Sequence, residues 1–299
     1  MKKVFRYLLI GTTTLILLVI LLLSVTKANF EYRLNKRHVI QDETFQYMND
    51  SATLAKGKHI ASLSCFHCHG DQLQGTVFID DPALGKITAP NLTRGKGGIG
   101  SLYSREDMVR AIRHGVRPGG QALMVMPSLD FFNLSDEDLA AVISYIESVP
   151  PADNNPSKTH LKPLTKILMG AGMFGKVLPV EYLDHRPFIH SSVPGGITPE
   201  YGNYLASTNG CKTCHGDNLG GGQSPEPGAP FSPNLTMGNI SIWSEADFLH
   251  ALHTGERPGG QAAMSKFMPW ATLGRMTDDE LRAIWVYIKS VPQVETNKH

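Results

Sequence analysis

The first feature of the hydropathy pattern is a run without charge, YLLIGTTTLILLVILLLSVT, from Tyr7 to Thr26. At ~1.5 Å per residue it is long enough to cross a hydrocarbon core of roughly 30 Å. It is apolar on every face, so it predicts a helix that no small soluble core would absorb. Lys2, Lys3 and Arg6 stand ahead of it, which keeps that end in the cytoplasm. A secretory signal has a shorter apolar region and a small-x-small cleavage site. The one candidate here is the indifferent Thr26-Lys27-Ala28, so residues 1–27 read as an uncleaved transmembrane anchor.

Beyond the anchor the pattern changes to short amphipathic stretches separated by glycine-rich loops. Ser104 and Ser244 are N-cap residues with Asp107 and Asp247 three positions on, and Gly115 and Gly255 end those helices. Ser135 and Thr277 cap longer helices, where Leu139, Val142, Ile143 and Ile146 form one apolar face and Leu281, Ile284, Trp285 and Ile288 form its counterpart. No convincing alternation of strand type occurs, which predicts a mostly α protein.

These matched helices belong to an internal repeat. GKHIASLSCFHCHGDQLQG answers to GNYLASTNGCKTCHGDNLGG, APNLT to SPNLT, YSREDMVRAIRHGVRPGGQ to WSEADFLHALHTGERPGGQ, and LSDEDLAAVISYIESVP to MTDDELRAIWVYIKSVP. The separations drift by only a few residues, as loop insertions make them do. The organisation expected is an anchor at 1–27, a juxtamembrane linker at 28–50, one domain at 51–150, a linker or strap at 151–193 and a second domain at 194–299. PPADNNPSKTHLKPL is proline-rich and predicts no regular structure. The apolar stretch TKILMGAGMFGKVLPV reads as a short helix or strap packed between the two domains, in preference to a second membrane contact.

Composition narrows the chemistry. With 299 residues and a formal net charge of +1, the chain lacks the basic bias of a nucleic-acid binder. All four cysteines fall in CFHCHG, residues 65–70, and CKTCHG, residues 211–216. C-x-x-C-H is the attachment motif of c-type haem: two thiols bind the porphyrin and the next histidine ligates iron. Cys65, Cys68 and His69 serve one haem and Cys211, Cys214 and His215 the other, so the expected cofactor is two covalently bound haem c groups. A zinc site would draw both motifs into one tetrahedron and leave the histidines unused. A reactive dithiol would need a strand-helix setting that neither motif has. A structural disulfide explains neither the repeat nor the histidine. His67 is a spacer.

The opposite face of each iron decides the role, since a thioether there suits electron transfer and an open position suits catalysis. Each repeat offers a Met-Pro pair, Met126-Pro127 and Met268-Pro269, with Met124 and Met264 as competitors. Counting back from the helix caps Ser135 and Thr277 matches Met126 with Met268, whereas counting from RPGGQ matches Met124 with Met264. Met126 and Met268 are the expected sixth ligands. Asn91, Thr93, Asn234 and Thr236 either bond haem propionates, with Arg117 or Arg257 pairing the same groups, or fix the path of turn-forming loops. His114, His250 and His253 read as surface or packing residues.

The order C-x-x-C-H, PNLT, RPGG, Met-Pro and a capped final helix resembles the class I c-type cytochrome domain. It is similar in particular to the multihaem cytochrome c subunits of membrane-bound alcohol and gluconate dehydrogenases. The resemblance covers the chain from about residue 51 onward, and it departs in number, since those subunits typically carry three haem domains. It implies two tandem cytochrome c domains behind a single N-terminal transmembrane helix, in a bacterial inner membrane with the haem domains in the periplasm. The implied role is electron transfer between a dehydrogenase or quinol-oxidising complex and a respiratory acceptor such as a terminal oxidase. The competing expectation is a dihaem enzyme, a peroxidase or a thiosulfate dehydrogenase, but a Met-Pro in both repeats argues against a division of labour between the haems.

Overall fold

A computed structural model describes residues 2–43, 45–186, 189–224, 226 and 228–297. Helix α1, Lys2–Asn35, is the apolar N-terminal segment, and it runs eight residues past the expected end of the anchor at 27. Those extra residues stay helical because they pack: Phe30 is fully buried against Leu161, Met169, Leu178 and Val180. Before them, no residue of the most apolar window is buried in the protein.

The first repeat contains α2 (Ser51–Ser64), α3 (Phe66–His69), strands β1 (Thr76–Asp81) and β2 (Gly85–Ala89), then α4 (Arg105–His114), α5 (Ser128–Phe131) and α6 (Asp136–Ser148). After it come the two-residue strand β3 (His160–Leu161) and α7 (Pro163–Gly170). The second repeat has α8 (Pro199–Thr208), α9 (Cys211–His215), β4 (Gly222–Gln223), β5 (Phe231–Ser232), α10 (Met237–Ile240), α11 (Glu245–Thr254), α12 (Trp270–Leu273) and α13 (Asp278–Ser290). The caps fall where the sequence puts them. Ser104 and Ser244 close reciprocal capping boxes with Asp107 and Asp247, and Gly115 and Gly255 take left-handed conformations at the helix ends.

Each repeat is organised around a helix crossing, α2 on α6 and α8 on α13. The crossing is close because a glycine sits at its centre. A Cβ at Gly57 would lie 2.1 Å from the Ala141 carbonyl oxygen, and one at Gly202 would lie 2.0 Å from that of Ala283. The apolar faces of α6 and α13 line two separate cores. Leu139, Val142, Ile143 and Ile146 pack with Phe66, Leu73 and Phe131, while Leu281, Ile284, Trp285 and Ile288 pack with Leu205, Leu219 and Phe248.

Strands are present, contrary to the sequence reading. In each repeat the loop between the cysteine motif and PNLT folds into a short antiparallel hairpin, β1–β2 in the first and β4–β5 in the second. A register irregularity between Val77 and Ile79 and the lack of a regularly buried face erase the alternation by which a strand is recognised. The proline-rich segment also contributes β3, which pairs with β2. A second correction concerns the apolar strap. Helix α7 packs on α1, not between the domains.

The domains meet directly. His59 Nε2 lies 2.9 Å from Glu280, and Tyr204 donates its hydroxyl proton to Asp138 while accepting from the Ser135 amide at 3.2 Å. Leu63 of the first repeat belongs to the apolar cluster of the second.

Candidate haem-binding sites

The two cysteine motifs fold alike. Cys65 ends α2 and Cys68 lies in α3, with the Cys68 amide donating to the Cys65 carbonyl at 3.3 Å. Cys211 and Cys214 lie within α9. All four thiols are free and partly buried. Burial pushes Cys65 and Cys211 up to about 12 and Cys68 to about 11, and raises Cys214 as well. The sulfurs are therefore protonated thiols at neutral pH, unlike the thiolate of a reactive dithiol. Among the described residues no group of three or more His, Cys, Asp or Glu side chains lies together.

Both histidines of the motif are buried and held in one tautomer. His69 Nδ1 donates to the Pro90 carbonyl at 2.8 Å, and His215 Nδ1 donates to the Pro233 carbonyl at the same distance. Burial lowers the pKa of each, with the carbonyl bond acting in the opposite sense. The result is a neutral imidazole whose Nε2 lone pair is left for a metal, the arrangement by which an outer hydrogen bond orients a histidine ligand. The carbonyls come from 21 and 18 residues downstream, so the longer first hairpin is accommodated without moving the histidine.

PNLT is thereby explained. Its proline carbonyl orients the histidine and its polar side chains lock the loop. Asn91 Nδ2 donates to Ala152 and Asn154 carbonyls at 2.7 and 3.0 Å, while Asn91 Oδ1 accepts from the Thr93 amide and hydroxyl. Asn234 repeats this with the Val294 carbonyl, at 2.8 Å, and with Thr236. All four side chains are buried and bonded within the protein, so they fix the chain path and are not donors reserved for propionates. Arg117 is exposed and Arg257 half-buried.

Beneath each histidine loop a buried leucine, Leu73 or Leu219, has φ of 56° or 57°. A left-handed leucine costs roughly 1–2 kcal/mol, and the same cost recurs at the same place in both repeats. Each leucine carbonyl accepts the amide of the PNLT leucine, Leu92 or Leu235, at 2.8 Å.

The methionines separate by environment. Met126 is partly buried against the cluster that includes Cys65 and Phe66, whereas Met124 packs with Phe30, Leu34 and Ile40 beside α1. Met264 and Met268 both border the second core. Val125, immediately before Met126, has φ of 67°, a strained conformation for a β-branched residue, and its amide donates to the Val177 carbonyl at 3.0 Å.

The other histidines behave as surface or packing groups. His67 is exposed and meets Phe78 edge-on. His250 pairs with Glu256, and His253 with Asp278. His114 is buried and bonds Glu43 and His185, within a network that includes Arg113 and Asp136. The glycines of the two crossings and the interdomain residues Asp130 and Arg275 were not singled out by the sequence. The repeat alignment that pairs Gly57 with Gly202 was the signal that could have found the glycines.

Two paired thiols, a buried neutral imidazole beside them and an apolar surround carrying a thioether together fit a covalently attached haem. Comparison with known proteins agrees. Residues 54–150 and 199–292 match the family model described as Cytochrome c. The chain is 28% identical over 264 residues to the fructose dehydrogenase cytochrome subunit of Gluconobacter japonicus, which covers 80% of this chain and 53% of that protein. It is 29% identical over 286 residues to the cytochrome c subunit of the quinone alcohol dehydrogenase of Gluconobacter oxydans, 84% of this chain and 57% of the relative. A diheme c-type cytochrome of Cereibacter sphaeroides is 26% identical over 231 residues, 71% of this chain and 74% of the relative. The chain thus spans little more than half the length of the dehydrogenase subunits it matches. It belongs to the cytochrome c family, whose domains carry covalently bound haem c.

Proposed function

We propose that this member of the cytochrome c family is a membrane-anchored dihaem electron carrier, passing electrons from a dehydrogenase or quinol-oxidising complex to a respiratory acceptor. The observation that carries the reading is the duplicated site. Each repeat presents two neutral thiols and a buried imidazole whose Nδ1 is engaged, so each is equipped for its own haem. When bound, such a group supplies one-electron chemistry. His69 and His215 would hold each iron as neutral ligands, and Met126 and Met268 would supply a thioether, which favours the reduced iron. A thioether at each iron would leave no open position for a small substrate, which is why the carrier is preferred to a peroxidase or thiosulfate dehydrogenase. The likeness to dehydrogenase cytochrome subunits supports a dehydrogenase as donor. Helix α1 would act as a single inner-membrane anchor, leaving both haem domains, 51–150 and 194–299, in the periplasm.

The test is mass spectrometry of the purified chain after acid-acetone extraction, with haem quantified on the same sample. A mass excess of two haems that survives extraction is the expected result. An excess of one would reduce the protein to a monohaem carrier, and a bare polypeptide mass would remove the haem reading.

A further inference from the structure

Helix α7 and the turn after it have no place in either haem site, yet they are the part of the protein that lies along α1. Lys166 reaches Glu31 at 2.6 Å, and four residues later Gly170 is so close to α1 that a Cβ there would lie 2.5 Å from the Thr26 carbonyl oxygen. As the α7 number rises the α1 number falls, so α7 runs antiparallel to α1 and heads toward the apolar stretch that ends at Thr26. The following residues, Ala171 to Gly175, form a closed turn in which the Met173 amide donates to Leu168 and the Gly175 amide to Gly172. Gly172 and Gly175 supply its left-handed positions.

The tip of this turn carries one uncovered apolar side chain. Met173 is 69% exposed. Phe174 follows it, half-buried against the cluster around Phe30, and Lys176 stands two residues further on, 5.4 Å from the ring of the half-exposed Tyr182. An exposed apolar tip backed by a lysine and a tyrosine has the composition of a segment at a lipid–water boundary. The apolar surface of α1 is exposed up to the level of Val25, so the tip continues a surface that is itself uncovered by protein.

We propose that the α7 turn is a second membrane contact, an interfacial hairpin that places Met173 among the lipid headgroups and upper acyl chains. The inference rests on the reading of α1 as a membrane span, because α1 sets the level of the bilayer surface. A lone transmembrane helix leaves its extramembrane domain free to tilt and rotate; a second contact restrains both. The strap beyond the turn returns to the first haem domain through the Val177 carbonyl and the Val125 amide, beside Met126. The membrane contact would thereby set the height and orientation of that site above the bilayer.

The full-length holoprotein, reconstituted alone into phosphatidylethanolamine–phosphatidylglycerol vesicles containing a phospholipid with a diazirine in its acyl chain, tests this. After illumination and tryptic digestion, three peptides decide the matter: 7–27 from α1, 167–176 from the turn, and 97–105, which carries the exposed Leu102. Label on the first two, located at Met173 in the second, and none on the third is the expected result. Label on α1 alone overturns the proposal and leaves the anchor reading intact. Label on none of them overturns the anchor reading itself. Equal label on 97–105 would mean unoriented lipid association and also overturns the proposal. Met173→Asp should remove label from the turn and leave that on α1; unchanged label at the turn in this variant counts against the assignment.

Discussion

Thr213, between the two cysteines of the second attachment motif, donates its hydroxyl proton to Asp130, four residues past Met126 in the first domain, at 2.6 Å. The reverse contact exists as well. Arg275, just beyond α12 of the second domain, donates to the Ser62 carbonyl at 3.1 Å and lies 5.9 Å from the ring of Phe66 in the first attachment motif. Each domain thus rests the segment that follows its Met-Pro on the cysteine motif of the other. The two sites share one interface.

That interface should tighten as pH falls. Burial raises Asp130 to about 6, above its ordinary value near 3.8, so between those values the folded state holds a proton that the unfolded state has lost. Stability then declines as pH rises through that window and stays at the lower level above it. His59 is raised from 6.5 by its bond to Glu280, so its contribution is complete below 6.5 and is lost as pH climbs through its folded value. Asp130→Asn should stabilise the protein by ~1–3 kcal/mol above pH 6 and flatten the lower window. Calorimetric unfolding from pH 4 to 8 would read both slopes, and an unchanged profile in the variant would rule out Asp130 as their source.

Gly57→Ala should open the α2–α6 crossing, since the new methyl has a backbone carbonyl in its place. A loss of ~3 kcal/mol is expected, at the upper end of overpacking penalties. Gly202→Ala should do the same to the second domain. Denaturant melts followed at each haem would show which domain softens; a variant that weakens both equally would mean the two domains unfold as one unit.

Met126→Ala should remove about half of the weak sulfur-to-iron absorption at the red edge of the visible spectrum and open one reduced iron to carbon monoxide. Met268→Ala should have the same effect at the other site. Met124 packs beside α1, so Met124→Ala should leave the band intact while loosening the contact with Phe30. Loss of the band in Met124→Ala or Met264→Ala would reassign that ligand.

Membranes washed in high salt should retain the protein, and detergent should release it. The exposed apolar surface of α1 is the reason, because salt screens charges and leaves hydrophobic burial in place. A soluble form beginning near Asn29 would show that the helix is a cleaved signal.

The sequence alone determined what depends on neighbours a few residues apart. Thiols three positions apart with a histidine next to them, serines capping helices three residues on, glycines ending those helices and an uncharged run of bilayer length are all local patterns. Repetition then made two domains visible without any contact being known. What the tertiary structure decided depends on residues far apart in the chain. The tautomer of His69 is set by a carbonyl 21 residues away, and Met126 and Met124 differ only in which cluster each enters. Whether α7 lies between the domains or along α1 is another such choice, as is the crosswise docking of Asp130 on Thr213. These outcomes follow from which surfaces exclude water together, a property of the packed chain that no short window of sequence contains.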